Sequence, residues 1–279
     1  PQKIETKIDL VRVVTYIEIE KVLFAIEQCK NIKKKGYEVS LNIMCGSYLN
    51  NDILYNLKEV ILSNINIFDY IYIADSYGSM EPDDVITIFS SLNNLKNIKK
   101  DLKIGFHIHN NGEIGMGNFI SSMKYIDIVD GSYFGLGRGY GNIKLENLIF
   151  FLKIKKNYDL NIEEFIKYLD NICDNYKKTK IKNSLLGFLN IHPYRITEEK
   201  VNLLDTYNNY IKLTNKEKYI YDKNSKITNK KYISNKDKDN SYTLKYNSSS
   251  IKNVNAELGT IEKDACGNFG NFETEEFRG

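Results

Sequence analysis

The 279-residue sequence has no tryptophan, three prolines, three histidines and four cysteines. Cys29, Cys45, Cys173 and Cys266 are scattered without a CxxC pair, so they read as ordinary thiols of a reducing cytoplasm. Charge of one sign is not in excess. The formal net charge is +3, with basic and acidic residues interleaved. A basic stripe with aromatics between is missing, which argues against nucleic acid as the main partner. No apolar run approaches the roughly twenty residues needed to span a bilayer, so no membrane partner is expected. A signal-peptide pattern is lacking too. The chain opens at Pro1, already on the approach to a strand, and so reads as a fragment.

What is present is a core and a beat. A hydrophobic fraction of 42% is ample for one large domain or two small ones. The β-branched run "IDLVRVVTY" (Ile8–Tyr16) is followed by the helical "EIEKVLFAIEQCKNIKKK", which stops at Gly36. "YEVSLNIMC" (Tyr37–Cys45) repeats the strand and "NDILYNLKEVILSNI" the helix. "FDYIYIADS" (Phe68–Ser76) comes next, then "EPDDVITIFSSLNNL", where Pro82 is placed to start a helix. "LKIGFHIH" (Leu102–His109) and "IDIVDGSYF" (Ile126–Phe134) supply a fourth and a fifth strand around the helical "NFISSMKY". A helix from about Leu145 to Lys156 closes the series. Apolar strands alternating with amphipathic helices predict βα units on a parallel sheet. An open doubly wound sheet competes with a closed eight-stranded barrel. Polar, glycine-bearing segments follow four strands ("CGSY", "ADSYGSMEP", "HIHNN", "FGLGRGYGN"), and barrels keep their sites at that rim. The expectation is therefore α/β, a partial TIM barrel of about the last five βα units over residues 1–157.

Beyond Asn157 the pattern changes. One amphipathic helix is expected over Asn161–Tyr176, and an apolar hairpin or short helix over Ser184–Arg195, ending in His192-Pro193. A further helix from about Thr197 to Lys212 completes a helical extension, 158–213. Residues 214–279 are rich in lysine, asparagine and serine, with little periodicity, and read as a disordered tail. "DKDNSYTLKYNS" superficially resembles a calcium loop, but Tyr242 replaces the required glycine and the terminal glutamate is absent.

His107 and His109 stand one residue apart in a strand, so both imidazoles reach the same face. They are either a half-buried pair bonded to nearby backbone or a functional pair. In "GLGRGYGN" (Gly135–Asn142), Tyr140 stands where the third glycine of a dinucleotide fingerprint belongs, and the phosphate-loop Gly-Lys-Ser/Thr is missing. The loop is then a flexible turn, or a rim loop that closes over a small ligand through Gly137 and Gly139 and presents Asn142 inward. Asp75 either caps the coming helix or shares the rim with the histidines, where a Ser76 hydroxyl suits a substrate carboxylate. Arg12, inside the first strand, points either into the barrel or against a carboxylate, since buried arginine is uncommon unless paired.

Taken together, "IYIADSYGSMEP", "GFHIHNNGEIGMGN" and "IDIVDGSYFGLGRGYGN" resemble the HMG-CoA-lyase-like barrel family, the DRE-TIM metallolyases, over about Ile8 to Phe150. The resemblance is strongest to the aldolase branch, where HxHNN and GxGRGxGN recur in this order. It implies that His107 and His109 bind a divalent metal, that Asn142 is a ligand or near-ligand, and that Ser76 contacts a substrate carboxylate. His107, Gly137 and Gly139 would also line the substrate. Asp75 and Arg138 are the candidate catalytic side chains. Neutral imidazoles, a carboxylate and an amide oxygen suit Mn²⁺ or Mg²⁺ first, with Co²⁺ or Zn²⁺ as alternatives. Such an ion polarises the oxygens of a 2-oxo acid.

The family's arginine-aspartate motif on its first strand, source of a third metal ligand, does not occur here. By resemblance three strands are missing upstream, through truncation, supply by a partner chain or homo-oligomer, or gene decay. The function expected is a metal-dependent aldolase that cleaves or forms a 4-hydroxy-2-oxo acid. The alternatives are an acyl-CoA condensing synthase or lyase of the same family, against which "HNN" and "GRGYGN" speak, and an inactive fragment or assembly subunit.

Overall fold

The computed structural model describes residues 1–191, 202–212, 243–244 and 260–261. Five strands, β1 (Leu10–Thr15), β2 (Glu38–Ile43), β3 (Tyr70–Asp75), β4 (Lys103–Ile108) and β5 (Ile128–Asp130), form one sheet in chain order, each parallel to the next. Every crossover carries a helix: α1 (Ile19–Lys34), α2 (Asn51–Leu62), α3 (Pro82–Asn93) and α4 (Gly115–Ser122). α1 buries Val22, Ala25, Ile26 and Cys29, the i, i+3, i+4, i+7 stripe of an amphipathic helix. Asn50 starts α2 by accepting the Ile53 N–H. Pro82 starts α3, where Glu81 and Asp84 exchange capping bonds.

Alternation along the strands gives the sheet two unlike faces. Val39, Leu41, Ile43, Ile71, Ile73, Ile104, Phe106 and Ile108 face the helices and are fully buried. Burying each stabilises the fold by about 1.5–3 kcal/mol. The other face carries Arg12, Ser40, Asn42, Tyr72, His107 and Asp130. Arg12 of β1 nonetheless reaches Asp130 of β5, with Nη1 2.5 Å from Oδ2. In a flat sheet, four spacings of about 4.8 Å would hold these strands roughly 19 Å apart, about twice what the two side chains span together. The sheet is therefore strongly curled, with its polar face concave. This is the expected portion of a barrel.

After β5, α5 (Leu145–Phe150) runs into a wider π turn over Phe151–Lys155. The single helix expected over Asn161–Tyr176 is in fact two, α6 (Ile162–Ile172) and α7 (Asn175–Phe188). Cys173 is extended between them, and Asp174 caps the second by accepting the Lys177 N–H. The apolar stretch from Ser184 to Phe188 is the end of α7, not a hairpin. The last helix of this unit among the described residues, α8, spans Leu203–Ile211. α6, α7 and α8 share a second cluster built on Ile166, Leu169, Leu185, Leu186, Leu189 and Leu203, which Phe150 of α5 joins. The expectations for His192-Pro193, the start of the last helix, the calcium-like stretch and the 214–279 tail lie outside the described residues. Within residues 224–279, a compact unit by itself, β6 (Thr243–Leu244) pairs parallel with β7 (Thr260–Ile261).

Candidate metal and substrate site

His107 and His109 stand at the C-terminal end of β4 with ring centroids 5.3 Å apart. His109 is nearly buried, at 9% exposure. Burial first, then the neighbouring His107 and the Arg138 charge, hold its imidazole below the usual histidine range. Such a ring is neutral at pH 7 and keeps a lone pair for a cation.

Asn142 is set beside His109 by backbone pairing. The ends of β4 and β5 splay, and the segment after the glycine loop wedges between them. Asn110 N–H donates to Gly141 O (2.8 Å), Ile143 N–H to Ile108 O (3.0 Å) and Ser132 N–H to Ile143 O (3.2 Å). Asn142 thus bridges antiparallel to His109. Its side-chain Nδ2 donates to Leu136 O (3.1 Å), while its Oδ1 is buried without a hydrogen-bond partner. A buried, unpartnered acceptor is costly, and here it belongs to the side chain that the sequence nominates as a ligand. Among the described residues no three His, Cys, Asp or Glu side chains come together as a metal cage. Two imidazoles and an amide oxygen are chemically suited to a divalent ion, and the backbone bridge sets Asn142 opposite His109.

The loop itself is held by the two asparagines after the histidines. Asn111 Oδ1 accepts the Tyr140 N–H and its Nδ2 donates to Tyr77 O, while Asn110 Oδ1 accepts the Gly115 N–H at the start of α4. Tyr140 OH donates to Glu113. The three rim loops are thereby tied together. Positive φ falls at Gly135, Gly139 and Gly141, not at Gly137, whose absent Cβ instead leaves room for Asn142. Arg138 is exposed at the tip. Ser76 Oγ accepts the Cys45 N–H (2.9 Å) and keeps its own proton to donate.

Asp75 is not on this face. It continues the helix-facing row of Ile71 and Ile73, is fully buried, and accepts the N–H groups of Ser79 (3.0 Å) and Met80 (3.3 Å). Burial pushes its carboxyl above the usual range against the pull of those backbone donors. The geometry is that of a turn cap, so the expected catalytic placement beside the histidines gives way to the capping alternative.

The carboxylate that does reach the histidine pair is Asp130, which contacts His107 and which sequence reasoning passed over. Its Oδ2 lies 3.1 Å from His107 Nδ1, and it takes both guanidinium nitrogens of Arg12. Burial pushes its carboxyl up, but the hydrogen bonds from His107 and Arg12 and the Arg12 charge prevail, holding it below the usual carboxylate range. The clue was available: Asp130 ends a strand in register with His107, and alternation puts both on one face. Arg12 has the carboxylate partner that its sequence position called for.

The family model described as HMGL-like matches residues 5–174. The chain belongs to the HMGL-like family. Among curated relatives, 4-hydroxy-2-oxovalerate aldolase of Thermomicrobium roseum is 39% identical over 79 residues, 28% of this chain and 21% of that protein. Oxaloacetate decarboxylase of Mycobacterium tuberculosis is 28% identical over 145 residues, 51% of this chain and 40% of that protein. The chain thus spans well under half the length of either. The N-terminal domain of a Bacteroides vulgatus protein named as a candidate aldolase superposes with a TM-score of 0.46 at 28% identity, covering 59% of this chain and 55% of that one. No helix among the described residues is long and apolar enough to cross a membrane.

Proposed function

We propose that this chain carries the metal- and substrate-binding rim of a divalent-metal-dependent carbon–carbon lyase acting on 4-hydroxy-2-oxo acids. The observation that carries this reading is the pairing of His107 and His109 on the concave face, with Asn142 bridged to His109 through the backbone and its Oδ1 buried without a partner, in a chain of this family. His107, His109 and Asn142 would hold the ion. When bound, it supplies Lewis-acid polarisation of a 2-oxo acid's carbonyl and carboxylate. Mn²⁺ or Mg²⁺ suits the mixed nitrogen and oxygen donors best, with Co²⁺ or Zn²⁺ also compatible.

The chain's own residues do the rest. Ser76 donates its hydroxyl proton to the substrate carboxylate. Arg138 adds positive charge at the mouth, and the loop through Gly137 and Gly139 covers the bound acid. The similarity to oxaloacetate decarboxylase supports a second reading with the same bond chemistry. In both, the bond broken leads to the carbon next to the 2-oxo group, and the departing fragment is carbon dioxide in one case and an aldehyde in the other.

The test is Mn²⁺ titration of the wild-type chain and of His107→Ala and His109→Ala, followed by turnover assays with 4-hydroxy-2-oxovalerate and with oxaloacetate. Each substitution is expected to weaken Mn²⁺ at least tenfold with the fold retained. Unchanged affinity in both would overturn the metal assignment. Mn²⁺-dependent loss of oxaloacetate alone would select the decarboxylase reading.

A further inference from the structure

Arg12, Tyr72, Gly105, His107 and Asp130 come from four different strands yet form one connected chain across the concave face. Gly105 is where it begins. A Cβ at that position would meet the Tyr72 ring at 2.3 Å, so only glycine lets the ring lie over β4. The Arg12 guanidinium sits on that ring, 3.9 Å from its centroid, a cation–π contact that also keeps its plane fixed. From there Arg12 presents two nitrogens to the two oxygens of Asp130, at 2.5 and 3.5 Å. Asp130 Oδ2 meets His107 Nδ1 at 3.1 Å. An ionised carboxylate can only accept, so the proton between them belongs to the imidazole. Of the two neutral tautomers, this geometry accommodates the one with its proton on Nδ1 and a bare Nε2.

We infer that Arg12 and Asp130 are positioning residues that lock the tautomer and ring orientation of His107. The Tyr72 ring over Gly105 serves as the platform for Arg12. This rests on the reading of His107 as a metal ligand, and it makes Asp130 the orienting partner of a ligand rather than a ligand itself. Metal-binding histidines commonly give their second N–H to a carboxylate in this way. A staple that merely curls the sheet would hold β1 to β5 equally well without fixing which nitrogen of His107 is protonated.

The experiment is ¹⁵N–¹H correlation of the histidine rings in the full chain, labelled at its three histidines and free of metal. His109→Gln and His192→Gln variants assign the signals. The expected result is a single His107 tautomer with protonated Nδ1, which gives way to a mixture in Asp130→Asn and in Arg12→Gln while the circular dichroism stays native. Asp130→Glu should restore the single tautomer in part. Mn²⁺ affinity should fall about 10- to 100-fold in Asp130→Asn. Should Asp130→Asn fail to fold, Arg12→Gln carries the same test from the far end of the chain of contacts. A wild-type His107 protonated on Nε2, or a ring pattern unmoved by Asp130→Asn and Arg12→Gln, would overturn the inference. A locked tautomer in a chain that binds no Mn²⁺ would uphold the positioning and overturn only the metal reading.

Discussion

Asp75 and Asp130 both end strands at the same rim, yet alternation sends their carboxylates to opposite sides of the sheet. Asp130 meets an imidazole and a guanidinium. Asp75, itself fully buried, meets the part-buried N–H of Ser79 and the buried N–H of Met80. Asp75→Ala leaves the Met80 N–H buried and unpaired, which costs about 1–3 kcal/mol, while the N–H of exposed Ser79 can turn to water. Asp75→Asn keeps an acceptor oxygen and should cost less. Urea denaturation reads the stabilities, and Mn²⁺ titration of whichever variants remain folded should give the wild-type affinity. A folded Asp75→Asn that has lost Mn²⁺ would return this residue to the site.

The loop element from Ser132 to Glu146 is where backbone strain concentrates. Gly141 lies at φ +98°, and an added Cβ would stand 1.9 Å from Gly135 O. Gly141→Ala should therefore dislodge Asn142 through the backbone and weaken Mn²⁺ binding, and Gly137→Ala should do so through a Cβ 2.8 Å from the Asn142 amide nitrogen; wild-type affinity in both would make the loop a passive turn. Underneath, the buried Glu146 carboxylate accepts the N–H of Phe134, itself at φ +57°. Burial raises this carboxyl above its ordinary value of 4.5 against the pull of backbone donors. A raised acid stabilises the fold fully below its unfolded value, and that contribution is lost as pH rises through the folded one. Glu146→Gln should therefore gain stability over wild type at pH 7 and lose that advantage near pH 4, as thermal melts at the two pH values would show. The strands, their order and the histidine pair were legible in the sequence because period-2 and period-3.6 patterns are local. The splaying of β4 from β5 to admit Asn142 was not. Nor was the break at Cys173, since an apolar helical stripe runs through it and only the Asp174 cap marks the new start.

On the scale of the whole molecule, β1 is an edge strand among the described residues, and its surroundings are apolar. Ile8, Val14, Tyr16 and Phe24 are all about half exposed or more. A groove of about 380 Å³ runs beside Val14, Tyr16, Lys21 and Phe24. The curl that lets Arg12 touch Asp130 turns this edge outward with its N–H and C=O groups unpaired by any described strand. Such an edge is a template for another strand. The chain by itself should consequently self-associate in a concentration-dependent way. Val14→Lys, placing a charge near the C-terminal end of the edge as natural edge strands do, should raise the concentration at which this begins by roughly tenfold, the equivalent of about 1.4 kcal/mol. Sedimentation velocity across a dilution series measures it. Association that is insensitive to Val14→Lys would place the sticky surface elsewhere and leave the β1 edge closed in solution.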